Sequence, residues 1–540
     1  MANIPESGVR YNMRFLWLIC LVAAMGGLLF GYDWVVIGGA KLFYEPFFGI
    51  YNSSVLQGLA MSSALVGCLF GAIVSGALTD RFGRKRLLIL SGFMFTFSAI
   101  GTALAPGFVW FNIFRWIGGV GIGLASNLSP MYIAEISPAH IRGRFVSINQ
   151  LTIVIGILAA QLVNMTIAQQ VPTADQLRLL ASTDDVVQTV YGDDFEIGKE
   201  KDKAADVTDM DVFRAVHEKF PELSVVKVAK DNKEATKQKE EEDSAVLAAY
   251  ILPTWNGQKG WRWMFGVETV IAMLFFFLMF FVPESPRWLA KYGRDEEALR
   301  TLGRIGGTEH AEREMAEIKA TLASEEIAKV NFRDLLEPRL LKIIGLGVFL
   351  AVFQQWCGIN VIFNYAQEVF QAAGYGVSGV MFNIVITGIV NLAFTFVAIF
   401  TVDRFGRRIL MLIGAGGLAG IYAILGAGYY QQSTGVHMLV LVVLAIACYS
   451  MSLAPITWVV ISEIFPNRIR GAAMSIAVFS LWLGCTGLTF SFPFLKRSLG
   501  AHGAFWLYGF ICLIGLVVIY RKLPETKGKS LEAIERELVN

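Results

Sequence analysis

Long apolar runs separated by short polar segments dominate the chain. A helix that crosses a bilayer needs about 20 mostly apolar residues, and twelve runs come close to that length. We number them spans one to twelve; they cover residues 14–38, 56–78, 87–106, 109–133, 145–165, 262–282, 340–366, 377–401, 409–430, 437–460, 472–495 and 503–521. The pattern therefore predicts an all-α membrane protein with twelve transmembrane helices.

The first run is too long for the apolar region of a signal peptide, and no small-x-small cleavage site follows it. We therefore expect it to be retained as a membrane helix.

Basic residues cluster in every second loop between the predicted spans. Loops on the cytoplasmic side of a membrane carry an excess of lysine and arginine. The clusters include Arg81, Arg84, Lys85 and Arg86 after span two, Arg142 and Arg144 after span four, Arg404, Arg407 and Arg408 after span eight, and Arg468 and Arg470 after span ten. They predict a multi-pass protein of the cell (inner) membrane with both termini in the cytoplasm.

The sequence repeats itself once. DRFGRK at 80–85 recurs as DRFGRR at 403–408, and Glu135 and Glu463 each stand seven residues before an arginine. PES at 283–285 is echoed by PET at 524–526. Three paired motifs in the same order predict two parallel six-helix bundles, an arrangement known among transporters.

The spans and the repeat predict six regions. A polar, charged stretch in the first half has no counterpart in the second, and we interpret it as an insertion on the outer side with an accessory or assembly role. The regions are an N-terminal bundle with helices one to five (1–165), the extracytoplasmic insertion (166–261), helix six (262–282), a cytoplasmic helical linker (283–339), a C-terminal bundle with helices seven to twelve (340–521) and a cytoplasmic tail (522–540).

Composition supports the membrane assignment. Hydrophobic residues make up 55% of the chain and charged residues 17%, with a net charge of +2, whereas average soluble domains carry about 25% charged residues. These values exclude a soluble enzyme, a disordered chain and a nucleic-acid-binding protein. The six cysteines and five histidines show no metal-ligand spacing. We therefore expect no metal and no cofactor, and a functional monomer in the lipid bilayer.

Three ionisable residues lie deep inside predicted spans. A charged side chain costs free energy there, and residues of this kind are usually functional. The three are Asp33 in span one, Arg115 in span four and Glu268 in span six. Counted at about 1.5 Å per residue, all three lie roughly 7–10 Å below the outer membrane edge, so we expect them to meet. Since arginine stays protonated, we predict that Asp33 pairs with Arg115 when ionised and releases it when protonated, with Glu268 tuning the exchange. A permanent ion pair that only fixes helix packing is the alternative.

Charged residues at the predicted cytoplasmic helix ends are candidates for a gate, because ion pairs there can break as the bundles move apart. The alternative is that these charges have no gating role and only set the topology of the helices in the membrane. The candidates are Asp80, Arg81, Arg84, Glu135, Arg142, Glu284 and Arg287 in the first half, and Asp403, Arg404, Glu463 and Arg470 in the second.

Uncharged polar residues inside apolar spans are candidates for a ligand site. Amide groups both donate and accept hydrogen bonds, and aromatic faces stack on sugar rings, so together they favour a neutral ligand with many hydroxyls. Helix-to-helix hydrogen bonding is the alternative for any single amide. The candidates are Gln150, Gln354, Gln355, Asn360, Asn391, Trp458 and Trp482. Gly358, within the cluster of span seven, predicts local unwinding.

These motifs together resemble the sugar porter family of the major facilitator superfamily, and several stretches are particularly similar to bacterial D-xylose:proton symporters. The resemblance rests on GRK at 83–85, PESPR at 283–287, QQ…GIN at 354–360 and PETKG at 524–528, and it covers nearly the whole chain except 166–260. It implies that the six candidate ligand residues other than Trp482 match sugar-binding positions. Phe30 matches an aromatic beside the pocket, and Asp33, Arg115 and Glu268 match the family's coupling acid, its partner and an accessory acid.

The chain departs from the xylose symporters at three positions: Ile157 and Leu481 stand where those proteins carry glutamines, and Asn364 replaces a tyrosine. The sequence thus predicts a proton-coupled symporter that imports a monosaccharide, D-xylose in the first place, by alternating access. The alternatives are a hexose (glucose or galactose) or arabinose symporter, a proton-independent facilitator, a membrane sugar sensor, and an enzyme with its site in the insertion, of which the last two are disfavoured.

Overall fold

The computed structural model describes residues 11–138, 141–168, 251–252, 254–327, 337–373, 377–465 and 469–527. Within these ranges the chain forms α-helices joined by short turns, with no strand. Most of the predicted insertion 166–261 lies outside them, as do parts of the linker and of the tail. The predicted domain boundaries therefore stay predictions.

The N-terminal half consists mainly of long helices. Its elements are α1 (Met13–Phe48), α2 (Ser54–Phe82), α3 (Arg84–Ala103), α4 (Phe108–Ile136), α5 (Arg142–Ala168), a π-helical turn at Asn256–Gly260, α6 (Trp261–Gly266) and α7 (Glu268–Phe281). The sixth span begins with the π-helical turn and continues through α6 into α7. Three linker helices follow: α8 (Pro286–Lys291), α9 (Asp295–Gly306) and α10 (Thr308–Ile327).

The C-terminal half has three breaks within its spans. Its helices are α11 (Pro338–Trp356), α12 (Ile359–Asn364), α13 (Ala366–Ala372), α14 (Val377–Phe405), α15 (Arg407–Tyr430), α16 (Val436–Met451), α17 (Leu453–Ile464) and α18 (Arg470–Lys522). The break before α12 lies at Gly358, whose φ of 87° is left-handed, which confirms the predicted unwinding. The others lie at Tyr365 and Ser452.

Helix α18 contains two spans. Its 53 residues amount to about 80 Å of helix at 1.5 Å per residue, against roughly 30 Å of bilayer core. The backbone leaves helical geometry at Gly500 (φ 69°, ψ 177°), between predicted spans eleven and twelve. The described residues contain eleven helices long and apolar enough to cross a membrane, one of which is this double span. The predicted all-α fold with twelve transmembrane helices is therefore confirmed.

Helix α1 is longer than the sequence predicted. It continues ten residues beyond the predicted end at residue 38, to Phe48, and ends on Gly49 in the left-handed conformation. The prediction stopped early because Lys41 and Glu45 follow, and charges usually mark a span's end. In the structure both are buried and paired with each other, so the helix continues through them.

Helices α2 and α4 pack at very short range through glycines spaced four apart on each. Gly67 and Gly71 of α2 face backbone atoms of α4, and Gly119 and Gly123 of α4 face backbone atoms of α2. Any Cβ at these positions would overlap the opposite main chain. Small residues at this spacing allow close helix contact in membranes, and here they fix the core of the N-terminal bundle.

Gly119→Ala is expected to force α2 and α4 apart and lower stability, since overpacking costs about 1–3 kcal/mol. The measurement is the thermal unfolding midpoint of the detergent-purified protein. Gly76→Ala is the matched control on α2, because no atom lies within 4 Å of the Cβ position there. Equal midpoints for the two variants would contradict this account of the interface.

Candidate functional site

Asp33 of α1 and Arg115 of α4 form a buried ion pair. The Arg115 Nη1 atom donates a hydrogen bond to Asp33 Oδ1, and Nη2 donates to the Asp33 backbone oxygen at 3.3 Å. The two side chains are only 3% and 4% exposed. The guanidinium also lies over the Phe265 ring, 5.5 Å from its centroid. Each charge thus has its compensation inside the bundle rather than in water.

Glu268 lies beside this pair. It is the first residue of α7, directly after Val267, whose backbone stays helical (φ −61°, ψ −32°), and it is 2% exposed. Asp33 and Arg115 are the charged groups that act on it. Asp33 Oδ2, in contrast, is buried without a hydrogen-bond partner in the part of the chain described. The three predicted residues therefore meet, with two carboxyl groups around one guanidinium and a net charge of −1 when both are ionised.

Tyr32, which the sequence analysis did not single out, connects α1 to span six. Its hydroxyl donates to the Met264 backbone oxygen at 2.9 Å, and the side chain is fully buried. Met264 lies four residues before Glu268, so this contact holds the chain next to the acid. The only sequence signal was its position beside Asp33.

The amides of span seven form a hydrogen-bonded chain. Asn360 Nδ2 donates to Gln355 Oε1 at 2.5 Å, Gln355 Nε2 donates to Gln354 Oε1 at 3.2 Å, and Gln354 Nε2 donates to the Ala454 backbone oxygen at 3.1 Å. All three side chains are less than 10% exposed. Because Gly358 breaks the helix between Gln355 and Asn360, the two side chains reach each other across the unwound turn.

An aromatic cluster joins the two halves next to this chain. Phe30 and Trp34 of α1 lie 5.9 and 6.0 Å from Trp482 of α18, measured between ring centroids. Asn360 Nδ2 lies 3.9 Å from Cys485 Sγ, and Cys485 stands next to Trp482 on the same helix face. The amide chain and the α1 rings therefore contact neighbouring positions of α18.

The remaining candidate ligand residues lie apart from these contacts. Asn391 of α14 accepts a hydrogen bond from Ser450 Oγ at 2.6 Å. Gln150 is half-buried on α5, and Trp458 on α17 is 39% exposed. Ile157 and Leu481, at two of the departures from the xylose symporters, are both buried.

The sequence analysis missed a second buried charge cluster. Lys41 of α1 is ion-paired with Glu368 of α13 and lies 3.5 Å from Glu45. Gln57 donates to Glu45 at 3.1 Å, and the Lys41 ammonium lies 4.7 Å from the centroid of the Tyr365 ring. The expectation that only Asp33, Arg115 and Glu268 are charged deep in spans is therefore wrong. Lys41 was missed because span one was ended too early.

Charged side chains at the other ends of the N-terminal helices form a compact network. Arg84 Nη2 lies 2.7 Å from Glu135 Oε1, and Glu135 also accepts a hydrogen bond from Ser285. Glu284 accepts from the backbone N–H groups of Arg84 and Lys85 at 3.0 and 3.1 Å, which satisfies the start of α3. Burial raises the pKa of the Glu284 carboxyl, while these N–H groups act in the opposite direction.

The C-terminal half repeats this network. Glu525 accepts from the backbone N–H groups of Arg407 and Arg408 at 2.9 and 3.1 Å, as Glu284 does at the start of α3. Arg407 lies 3.5 Å from Glu463. Gly83 and Gly406, which precede the two helices, share left-handed φ values of 89° and 91°. The sequence repeat is thus also a structural repeat, and Glu525 joins the candidate gate residues.

The other candidate gate residues are less tightly held. Asp80 pairs with Lys291 at 3.3 Å in an exposed contact, and Arg81 lies over the Phe82 ring. Glu135 pairs with Arg84 rather than with Arg142, which is exposed. Arg287 is half-buried in α8, the Arg404 backbone oxygen accepts from Lys527 Nζ, and the side chains of Asp403 and Arg470 lie outside the described part.

Comparisons with known proteins agree along nearly the whole chain. The family model "Sugar (and other) transporter" matches residues 19–184 and 244–538. The D-xylose-proton symporter of Escherichia coli (strain K12) is 35% identical, covering 97% of this chain and 96% of that protein. The arabinose-proton symporter of Bacillus subtilis (strain 168) is 32% identical, covering 99% and 97%.

A solved structure is similar as well. The partially occluded inward-open conformation of the xylose transporter XylE from E. coli has a TM-score of 0.72 and 32% identity, covering 96% of this chain and 100% of that one. The fold and the relatives are those of membrane transporters and not of enzymes. Since the family model spans both halves and the relatives match over almost their entire length, the chain belongs to the sugar transporter family of the major facilitator superfamily.

Proposed function

We propose that the protein is a proton-coupled symporter that imports D-xylose by alternating access. The observation that carries the proposal is the buried trio of Asp33, Arg115 and Glu268. It acts in the cell (inner) membrane as a monomer with both termini in the cytoplasm. The named activity of the 35% identical E. coli relative is consistent with this assignment.

Proton coupling follows from the charge count of the trio. One guanidinium cannot neutralise two carboxylates, and arginine does not give up its proton. Proton uptake by Asp33 removes the negative charge that is paired with Arg115, and Glu268 beside the pair tunes this exchange. The Asp33–Arg115 contact between α1 and α4 weakens in that state, and α1 becomes free to move relative to the rest of its bundle.

The sugar-binding assignment rests on the amide chain and the aromatic cluster. Gln355 and Asn360 each retain donor or acceptor capacity beyond the bonds between them, and the rings of Phe30, Trp34 and Trp482 supply an apolar face. Buried polar groups of this kind discriminate strongly between ligands with and without a matching hydroxyl. The relative named for arabinose makes that pentose the second candidate.

Alternating access requires contacts that exist in one state only. Lys41 of α1 and Glu368 of α13 join the two halves at the end where α1 runs past Asp33, the predicted outer side. The Arg84–Glu135 and Arg407–Glu463 pairs lie within single halves at the opposite end. We assign the Lys41 cluster as the outer gate, and we assign to the duplicated pairs the role of keeping each half rigid at the inner end, where the two halves separate.

Asp33→Asn is expected to abolish uphill transport while leaving exchange of labelled sugar across the membrane. A potential of 100 mV drives roughly 50-fold accumulation for one proton per sugar, and the variant should stay near equal concentrations. The measurement is D-xylose uptake into proteoliposomes with an imposed proton gradient. Asp295→Asn, in an exposed pair with Lys319, is the matched control.

Accumulation by the Asp33→Asn variant would overturn the coupling assignment. Wild-type uptake without alkalinisation of the outer solution would instead identify a proton-independent facilitator. Competition by a panel of pentoses and hexoses tests the choice of sugar separately from the coupling.

Asn360→Ala removes one donor and leaves the Gln355 acceptor without its partner. A lost hydrogen bond plus a buried unsatisfied group costs about 1–3 kcal/mol, so the KM for sugar should rise roughly 10-fold or more. Exchange rather than uphill transport is measured, so that coupling does not enter. Asn112→Ala is the control, because Asn112 bonds to its own helix at Phe108; an equal effect of both variants would exclude a direct role.

Lys41→Met is expected to open the outer side, because Glu45 and Glu368 then lose the cation that is paired with both of them, and only the more distant charge of Lys496 still acts on Glu45. Removing one partner of a buried pair costs about 3–5 kcal/mol. Hydrogen–deuterium exchange should become faster in α12 and α13, and adding Glu368→Gln should partly reverse the effect. Lys259→Met, at an exposed lysine, is the control, and unchanged exchange in α13 would refute the outer gate.

A further inference from the structure

A cleft of about 450 Å³ lies between the start of α3, the end of α7 and the linker helices α8 and α9. Its walls combine four cations and two carboxylates with apolar side chains. The lining residues are Lys85, Arg86, Ile89, Pro283, Glu284, Trp288, Leu289, Arg294, Glu297, Arg300 and Thr301. This cleft is separate from the buried trio and from the amide chain.

Two of the four cationic side chains in the cleft have no ion-pair or hydrogen-bond partner among the described residues. Arg294 makes a two-pronged contact with Glu297 at 2.8 and 2.7 Å, and Lys85 donates to the Phe280 backbone oxygen. Glu284 is occupied by backbone N–H groups of α3. Arg86 and Arg300, in contrast, make neither an ion pair nor a hydrogen bond with any residue in the described ranges. The cleft therefore presents two free guanidinium groups, which suit a phosphate group.

An apolar surface leads directly into the cleft. On α3, Leu90, Phe93 and Phe97 follow Arg86 at intervals of four, three and four residues, so they lie on the same helix face. They are 42%, 52% and 47% exposed. On α7, which packs beside α3, Phe277 and Phe281 are 53% and 80% exposed. Large exposed aromatic side chains on a membrane helix face lipid chains, so the two guanidinium groups lie at the end of a lipid-facing apolar surface.

We propose that this cleft binds the phosphate group of an anionic phospholipid, whose acyl chains lie along the exposed faces of α3 and α7. A free phosphate would satisfy the arginines equally, but it would not contact the adjoining apolar surface. Basic clusters on the cytoplasmic side recognise anionic head groups in this way, and this end of α3 carries the basic loop motif. The bound lipid links the linker helices α8 and α9 to the membrane end of α3.

Native mass spectrometry of the purified full-length protein tests the proposal. Phosphatidylglycerol and phosphatidylcholine with identical acyl chains are offered together, and the bound ratio is measured. Wild type should prefer phosphatidylglycerol. Arg86→Gln with Arg300→Gln should lower that preference roughly 25-fold, which corresponds to about 1 kcal/mol for each charge.

Two further variants separate the cleft from general surface charge. Arg144→Gln with Arg521→Gln removes two exposed arginines outside the cleft and should keep the wild-type ratio. Arg86→Lys with Arg300→Lys keeps the charge and should retain most of the preference. If the double glutamine variant does not fold, each single variant should still lose about fivefold.

Three results would overturn the proposal. The first is no lipid preference in wild type, and the second is an equal loss in the control pair. The third is displacement of phosphatidylglycerol by inorganic phosphate at equal concentration, which would identify a site for a soluble phosphate instead. Because lipid binding is measured without transport, the outcome is independent of the proposed symport.

Discussion

The buried contact between Asp33 and Arg115 is the interaction on which the rest of this protein depends. A charge in a low-dielectric interior is costly unless an opposite charge lies next to it. The structure meets this requirement by bringing α1, α4 and the sixth span to one point, where a guanidinium and two carboxyl groups lie together. The same physics makes the contact sensitive to a single proton, since removing one charge changes which groups remain compensated. A site that fixes helix packing is thereby also suited to switching.

The two halves share a second structural feature, which is the set of contacts at the starts of α3 and α15. In each half, a glycine with left-handed φ allows a sharp turn, and a glutamate then accepts hydrogen bonds from the first backbone N–H groups of the next helix. Glu284 and Glu525 do this at α3 and α15, and an arginine at each helix start pairs with Glu135 or Glu463. Because these contacts satisfy backbone donors that would otherwise be orphaned, they hold the helices of each half together. Motion between the halves therefore costs less than motion within them.

The contacts between the halves are of a different kind. The aromatic cluster of Phe30, Trp34 and Trp482 can slide or separate without leaving an unsatisfied polar group. The pair of Lys41 and Glu368 behaves differently, because its separation in a dry interior would be costly. In the proposed transport cycle, the separation of this pair therefore requires that water enters as that side opens. In that cycle, this difference lets one molecule combine two rigid halves with an interface that opens.

The sequence by itself determined the class of fold, the twofold repeat and the identity of the three membrane-buried charges at the core of the site. Each of these follows from a local property: run length sets the spans, recurring motifs set the repeat, and an ionisable residue within an apolar run has to find a partner. Gly358 likewise marked the unwound turn, because glycine is the residue that tolerates a left-handed backbone.

Only the tertiary structure decided which side chains meet. Lys41 and Glu45 look like the end of a span until Glu368, more than 300 residues away, supplies the countercharge that lets α1 continue. Glu135 pairs with Arg84 rather than with Arg142, and Tyr32 binds the backbone at Met264, because helix packing and not sequence spacing sets those distances. Pairing between remote segments depends on the geometry of the whole bundle, which no local pattern encodes.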